Sequence, residues 1–147
     1  MEDQNFKNHG RYITLYHFIA PTLILALMVG SGMGLFHAFG DHTNHASLHN
    51  ASLFFVTSIV LLLLWWYCRA FALRAQDRAI RAEENFRHFM ATGKPLDSRL
   101  RMSQIIALRF ADDDEFVGLV KRTADENLKA KEIKAAIKKW KADHNRA

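Results

Sequence analysis

Hydrophobic and polar positions divide this chain into two chemically different stretches. Residues 12–39 are almost continuously apolar, broken by Thr14, His17, Thr22, Ser31, His37 and a few glycines. A helix needs about 20 residues to cross a hydrocarbon layer of ~30 Å, and this run supplies them. Residues 53–67, LFFVTSIVLLLLWWY, form a second run, long enough once extended back through Ala51 and forward to Cys68. Both runs predict transmembrane helices. The first is too long for the apolar segment of a cleaved leader, the residues before it are not clearly basic, and no A-x-A site follows.

From Cys68 the pattern becomes helical and charged: RAFALRAQDRAIRAEENFRHFMATGKP has no glycine or proline before Gly93. Its residues favour helix, so one helix is expected from about Ser52 to Met90. Asp77–Arg81, Glu83–Arg87 and Glu84–His88 are acid-before-base pairs at i,i+4 that would support it. Phe71, Ile80, Phe86, Phe89 and Met90 are too apolar for a lone stalk and call for a cover. The remaining chain is expected to supply one. ATGKPLDS reads as a turn. MSQIIALRFA reads as a short helix with Ile105, Ile106 and Phe110 apolar. DDDEFVGLVKRTADENL reads as a helix capped by Asp112, with Glu115 as its capping-box partner and Phe116, Leu119, Val120 and Thr123 on one face. KAKEIKAAIKKWKA predicts a last, basic helix with Ile133, Ile137 and Trp140 at i, i+4 and i+7.

The expected class is therefore all-α: a two-helix transmembrane hairpin, a long second helix extending into the cytoplasm, and a small C-terminal helical cap. Its parts are a cytoplasmic N-terminal segment (1–11), a first span (12–39), an outer loop (40–50), a second span with its extension (51–92), and the cap (93–147). The chain's 147 residues suffice for one small domain.

Charge orients this arrangement. Of the 20 Lys and Arg residues only Lys7 and Arg11 precede Arg69, and the connecting loop has none. Positive residues flank spans on the cytoplasmic side, so both termini are expected inside and the loop outside. Tyr12, Tyr16, Trp65, Trp66 and Tyr67 would form one aromatic belt at that inner interface. Pro21 should kink the first span, because it removes a backbone donor. Gly30 and Gly34 make a small-xxx-small pair that lets another helix approach closely, from the same chain or a neighbour. The single cysteine, Cys68, excludes an intramolecular disulfide.

The stretches QNFKNHGRY, RAFALRAQDRAIRAEE, QIIALRF, DDDEFVGLVKR and KEIKAAIKKWKADHNR resemble a bacterial family of small two-span membrane proteins known only as a domain of unknown function. The resemblance covers most of the chain outside the spans and the outer loop. It implies no activity. The family pattern has no histidine-rich loop, which implies that any shared role does not depend on those histidines.

Four places could carry chemistry. In HAFGDHTNHASLHN, His42, His45 and His49 would share one face if helical, and Asp41 could add an oxygen, so zinc or copper could bind; a plain polar loop is the preferred reading. Imidazole is the side chain whose charge changes nearest physiological pH, so an acid-sensing loop is a second functional reading. Haem is not expected, since His17 and His37 lie about 30 Å apart along a helix. Gln76, Asp77, Arg78, Glu83 and Glu84 could serve acid–base chemistry, but no nucleophile, phosphate loop or metal-ligand cluster accompanies them; a surface or interface ion-pair network is the preferred reading, and a functional role, if there is one, is expected to be that of a docking surface. Trp140 with its surrounding lysines could touch anionic lipid or pack on the cap; nucleic acid is not the expected partner. The function expected is non-catalytic: an accessory or scaffolding membrane protein, without a cofactor, that meets lipids and either self-associates or joins a larger membrane complex. The alternative is a metal- or pH-responsive protein acting through the outer loop.

Overall fold

A computed structural model describes residues 12–40 and 45–143. The expected N-terminal segment lies outside the described residues. Every named element is helical: a π-helical turn at Leu15–Ile19, then α1 (Ala20–Gly40), α2 (His45–Thr92), α3 (Met102–Leu108), α4 (Asp113–Glu126) and α5 (Ala130–Ala136). The chain divides into two compact units, one spanning Tyr12–Phe71 and the other containing Ala72–Ala147, and α2 contributes to both.

The first unit is an antiparallel pair of apolar helices. Both Leu15–Gly40 and His45–Thr92 contain a stretch long and apolar enough to cross a membrane. Pro21 acts where the sequence predicts a kink, through a change of winding. In the π-helical turn the amide of Ala20 donates to the carbonyl of Leu15, five residues back. The next carbonyl in that series, Tyr16, would need the amide of residue 21, and proline has none. Trp65 supplies the missing donor: its Nε1 gives a 3.0 Å hydrogen bond to the Tyr16 carbonyl. The Tyr16 hydroxyl in turn donates to the Trp65 carbonyl. The two rings stack with centroids 5.8 Å apart. A defect in one helix thus becomes a cross-link to the other.

Five serine and threonine hydroxyls in this unit bond to their own helices. Thr22 donates to the Phe18 carbonyl, Ser31 to Leu27, Ser52 to His49, Thr57 to Leu53 and Ser58 to Phe55. Back-bonding of this kind lets a polar side chain sit among apolar ones without an unsatisfied donor. α2 begins at His45, ahead of the expected Ser52, so the described second part of the predicted outer loop is helical.

In the second unit, α3, α4, α5 and the later part of α2 enclose a core of Ile80, Leu100, Ile105, Leu108, Phe110, Phe116, Val120 and Ile133. Gly93, with φ of 71°, ends α2 in the left-handed conformation that glycine adopts without strain, and its amide donates to Phe89. Asn127 (φ 50°) ends α4 the same way. Gln104 joins the start of α3 to the link between α4 and α5. Its Oε1 accepts from the Arg101 amide at 2.7 Å, and its Nε2 donates to the Leu128 carbonyl at 2.9 Å.

Four expectations are corrected here. The last helix is shorter than predicted: α5 stops at Ala136, and Ile137 is extended. The chain then pairs with the segment before α4. Lys141 N–H donates to the Phe110 carbonyl at 2.8 Å, Asp112 N–H donates to Lys139, and Ala111 and Trp140 form a single β-bridge. Ile133 and Ile137 are buried, but Trp140 reaches Phe110 from extended chain (ring centroids 5.1 Å apart). The predicted capping box is also not formed. Asp112 caps α4 at its first amide, whereas the Glu115 carboxylate accepts from the amides of Lys138 and Lys139 at 3.1 Å. These two bonds hold the extended segment and explain why the helix does not continue. Of the five residues expected to lie under the cap, only Ile80 is buried. Phe71, Phe86, Phe89 and Met90 remain 51–69 % exposed. Finally, the i,i+4 pairs give way to others: Arg87 pairs with Glu84 at i,i+3 and with Asp113.

Candidate functional site

The first unit carries an open groove of about 530 Å³, lined by Ala26, Gly30, Ser31 and Gly34 of α1 and by Ser47, Ala51 and Phe54 of α2, with Leu27 and Asn50 completing it. The two glycines named by the sequence have different surroundings. A Cβ at Gly34 would lie 3.8 Å from Ala51, so Gly34 already serves the contact between α1 and α2. A Cβ at Gly30 would meet nothing within 4 Å. At Gly32, which was not singled out, a Cβ would lie 3.5 Å from the Phe55 ring. The small-xxx-small pair therefore has one end within the hairpin and one end open. The walls are mainly apolar, with Ser31, Ser47 and Asn50 as the polar members, and the Ser31 hydroxyl is already bonded to Leu27. Such a surface suits another helix better than a polar ligand.

In the second unit, the segment proposed as a docking surface separates into inward and outward parts. Glu84 is buried and Arg87 half-buried; they pair at 3.2 Å. The Arg87 guanidinium also donates to Asp113 Oδ1 at 2.6 Å and to the Ala111 carbonyl at 2.7 Å, and lies 4.1 Å above the Phe116 ring. Burial raises the Glu84 carboxyl above its usual range, against the opposing pull of Arg87. The hydrogen bond from Arg87 lowers that of Asp113. Gln76 and Asp77 are half-buried, and the buried Oε1 of Gln76 has no partner among the described residues. Arg78 and Glu83 are exposed. With Arg87 as its hub, this cluster ties α2 to the start of α4. Sequence reasoning missed Arg87 and Asp113 as partners because they lie 26 residues apart.

A second cavity, of about 350 Å³, lies between the end of α2 and α4 and is lined by His88, Lys94, Asp97, Arg99, Lys121 and Asp125 among others. Three of its charged residues, Asp97, Arg99 and Asp125, pair with one another. Asp97 receives Arg99 at 2.7 Å and is lowered to about 2 by hydrogen bonds from that side chain and its amide. Arg99 also reaches Asp125 at 3.2 Å.

The histidine loop is described only in part. Asp41 and His42 lie outside the described residues. His45 and His49 occupy one exposed face of the first turns of α2, four residues apart. Among the described residues no group of three or more His, Cys, Asp or Glu side chains is placed to hold a metal. The lysines around Trp140 face the acidic first turn of α4: Lys139 lies 2.9 Å from Asp114 and Lys141 3.9 Å from Asp113. Asp114 raises the Lys139 ammonium. Trp140 itself is half-buried, so the tail's apolar stripe is used within its own unit.

The model of one family, described as "Family of unknown function (DUF6526)", matches residues 1–147, and the chain belongs to that family. No curated protein and no solved structure matches it.

Proposed function

We propose that this member of the family is a two-span protein of the bacterial inner membrane, both termini cytoplasmic, that acts without catalysis as an accessory or scaffolding subunit. Membrane placement is supported by what the first unit lacks. Its apolar side chains point outward all round: Leu23, Val29, Met33, Phe36, Phe54 and Leu64 are 56–78 % exposed, and Ala38 and Ser58 are its buried residues. In water that surface would be untenable; in lipid it is solvated. The Lys- and Arg-free loop supports the orientation.

The observation that carries the function is the groove beside Gly30, an apolar, small-residue surface left open when the hairpin is complete. Close packing is the main force between helices in lipid, so such a surface is a seat for a helix of a larger membrane complex. Purification of the full chain in mild detergent, with quantitative mass spectrometry, tests this. The wild type should carry a membrane partner that Gly30→Leu loses, while the hairpin folds in both. A wild-type protein that is strictly monomeric and carries nothing sinks the proposal. Orientation has its own test in a Cys68→Ser background: Asn44→Cys should react with an impermeant thiol reagent in intact cells, and Ala142→Cys should not.

A further inference from the structure

The part of α2 in the second unit has two apolar faces, and only one is covered. The inner face holds Ile80 and Glu84. Across the helix from it, Ala72, Ala75, Ala79, Ala82, Phe86 and Phe89 follow one another at steps of 3, 4, 3, 4 and 3 residues, and all six are exposed. That is the a/d spacing of a coiled-coil seam, with Ala72, Ala79 and Phe86 at a and Ala75, Ala82 and Phe89 at d. The flanking e positions are then Gln76, Glu83 and Met90, and the g positions Arg78 and Asn85.

We propose that this seam pairs with the same seam of a second copy, in a parallel, in-register coiled coil over residues 72–89. The charges identify the occupant. In a parallel pair a g residue meets the e residue five positions later on the other helix. Arg78 thus meets Glu83 of the second copy, and the twofold symmetry repeats the bond. Neither Arg78 nor Glu83 has an ion-pair partner among the described residues. An antiparallel pair would set g against g and e against e, and neither set contains both signs. Two copies inserted alike in a membrane, as the reading above has them, would also present α2 in the same sense. The four alanines allow close approach of the helices, and Phe86 and Phe89 supply most of the buried apolar area.

Disulfide trapping of the full chain in native membranes, with Cys68→Ser as background, tests the pairing. Homotypic a or d positions of a parallel pair come within disulfide reach, while c positions point away. Ala79→Cys and Ala82→Cys should each give linked dimers in at least about tenfold excess over the exposed control Arg81→Cys. Arg78→Glu or Glu83→Arg alone should lower the yield about fivefold, and the two together should restore it. The proposal falls if no seam position links, if Arg81→Cys links equally well, or if the double variant stays weak. Linking only when Ala72→Cys and Phe89→Cys chains are mixed would show the antiparallel arrangement and overturn it as well. Adding Gly30→Leu should leave the seam links unchanged; loss of the membrane partner with the links retained separates this inference from the groove.

Discussion

The link between Pro21 and Trp65 can be tested as a thermodynamic cycle. Trp65→Phe keeps a ring to stack on Tyr16 but removes the only donor that the Tyr16 carbonyl has across the hairpin. Interhelical hydrogen bonds in membranes average only ~0.6 kcal/mol, because alternative partners are usually found. Here the local alternative is absent, since residue 21 has no amide hydrogen. The cost should therefore approach that of an orphaned buried acceptor, about 1.5–2 kcal/mol. Pro21→Ala returns an amide at the required position. In the Trp65→Phe background it should recover about 1 kcal/mol more than it changes the wild type, a coupling expected for groups that share one partner. Tyr16→Phe should cost less, about 0.5–1 kcal/mol, because the Trp65 carbonyl keeps its place in the α2 ladder. Reversible unfolding by SDS in mixed micelles would report these values, read by energy transfer between labels on Cys68 and on Thr14→Cys. Additive effects of Trp65→Phe and Pro21→Ala would refute the reasoning, whatever the size of either alone.

Three further outcomes concern the second unit. Arg87→Ala should destabilise it by about 2–4 kcal/mol in thermal unfolding, because it strands buried Glu84 and the Ala111 carbonyl; replacing both partners, as Glu84→Leu with Arg87→Met, should recover most of that loss. Glu115→Ala should release the segment after α5 at a cost of about 1.5–3 kcal/mol, seen as faster amide exchange at Lys138 and Lys139 and a changed Trp140 environment, whereas Asp114→Ala at the exposed Lys139 pair should have little effect. Asp97 is lowered from 3.8 to about 2 in the folded chain, so its contribution is present above pH 3.8 and is lost as the pH falls toward 2. Asp97→Asn should accordingly be less stable than the wild type at pH 6, and the two unfolding midpoints should converge only as the pH falls through about 2.

The elements that could be read from the sequence are those governed by neighbours along the chain. The two apolar runs and the uninterrupted extension of α2 follow from composition and from the position of Gly93, and the core face of α4 follows from Phe116, Leu119, Val120 and Thr123, all buried. Three of the errors share a physical origin: each concerned a group with two available partners, one near in sequence and one distant. Glu115 could cap α4 or hold the chain after α5, and the distant amides prevail because two of them converge on one carboxylate. Glu84 and Arg87 were placed in different i,i+4 pairs, and the distant Asp113 and Ala111 oxygens decide where the guanidinium lies. Ile137 and Trp140 suit a helical stripe, but the main-chain bonds to Phe110 and Asp112 set them in extended chain. Spacing identifies which residues are apolar enough to be buried; it does not decide between equally near competitors.

The same reasoning bears on the faces that remain open. Gly34 and Gly30 are indistinguishable as a motif, and only the position of Ala51 shows that one is used and the other is free. Ile80 and Phe86 are likewise both apolar residues in the extension, one beneath the cap and one in solvent. A helix whose apolar residues exceed what its own fold can cover must meet something else, and Phe86, Phe89 and Met90 together expose too much surface to be left to water. The order in which they follow the alanines, with Arg78 and Glu83 on either side, narrows that something to a helix of the same sequence. The uncovered residues thus carry more information about function than the ion pairs and histidines that first draw attention.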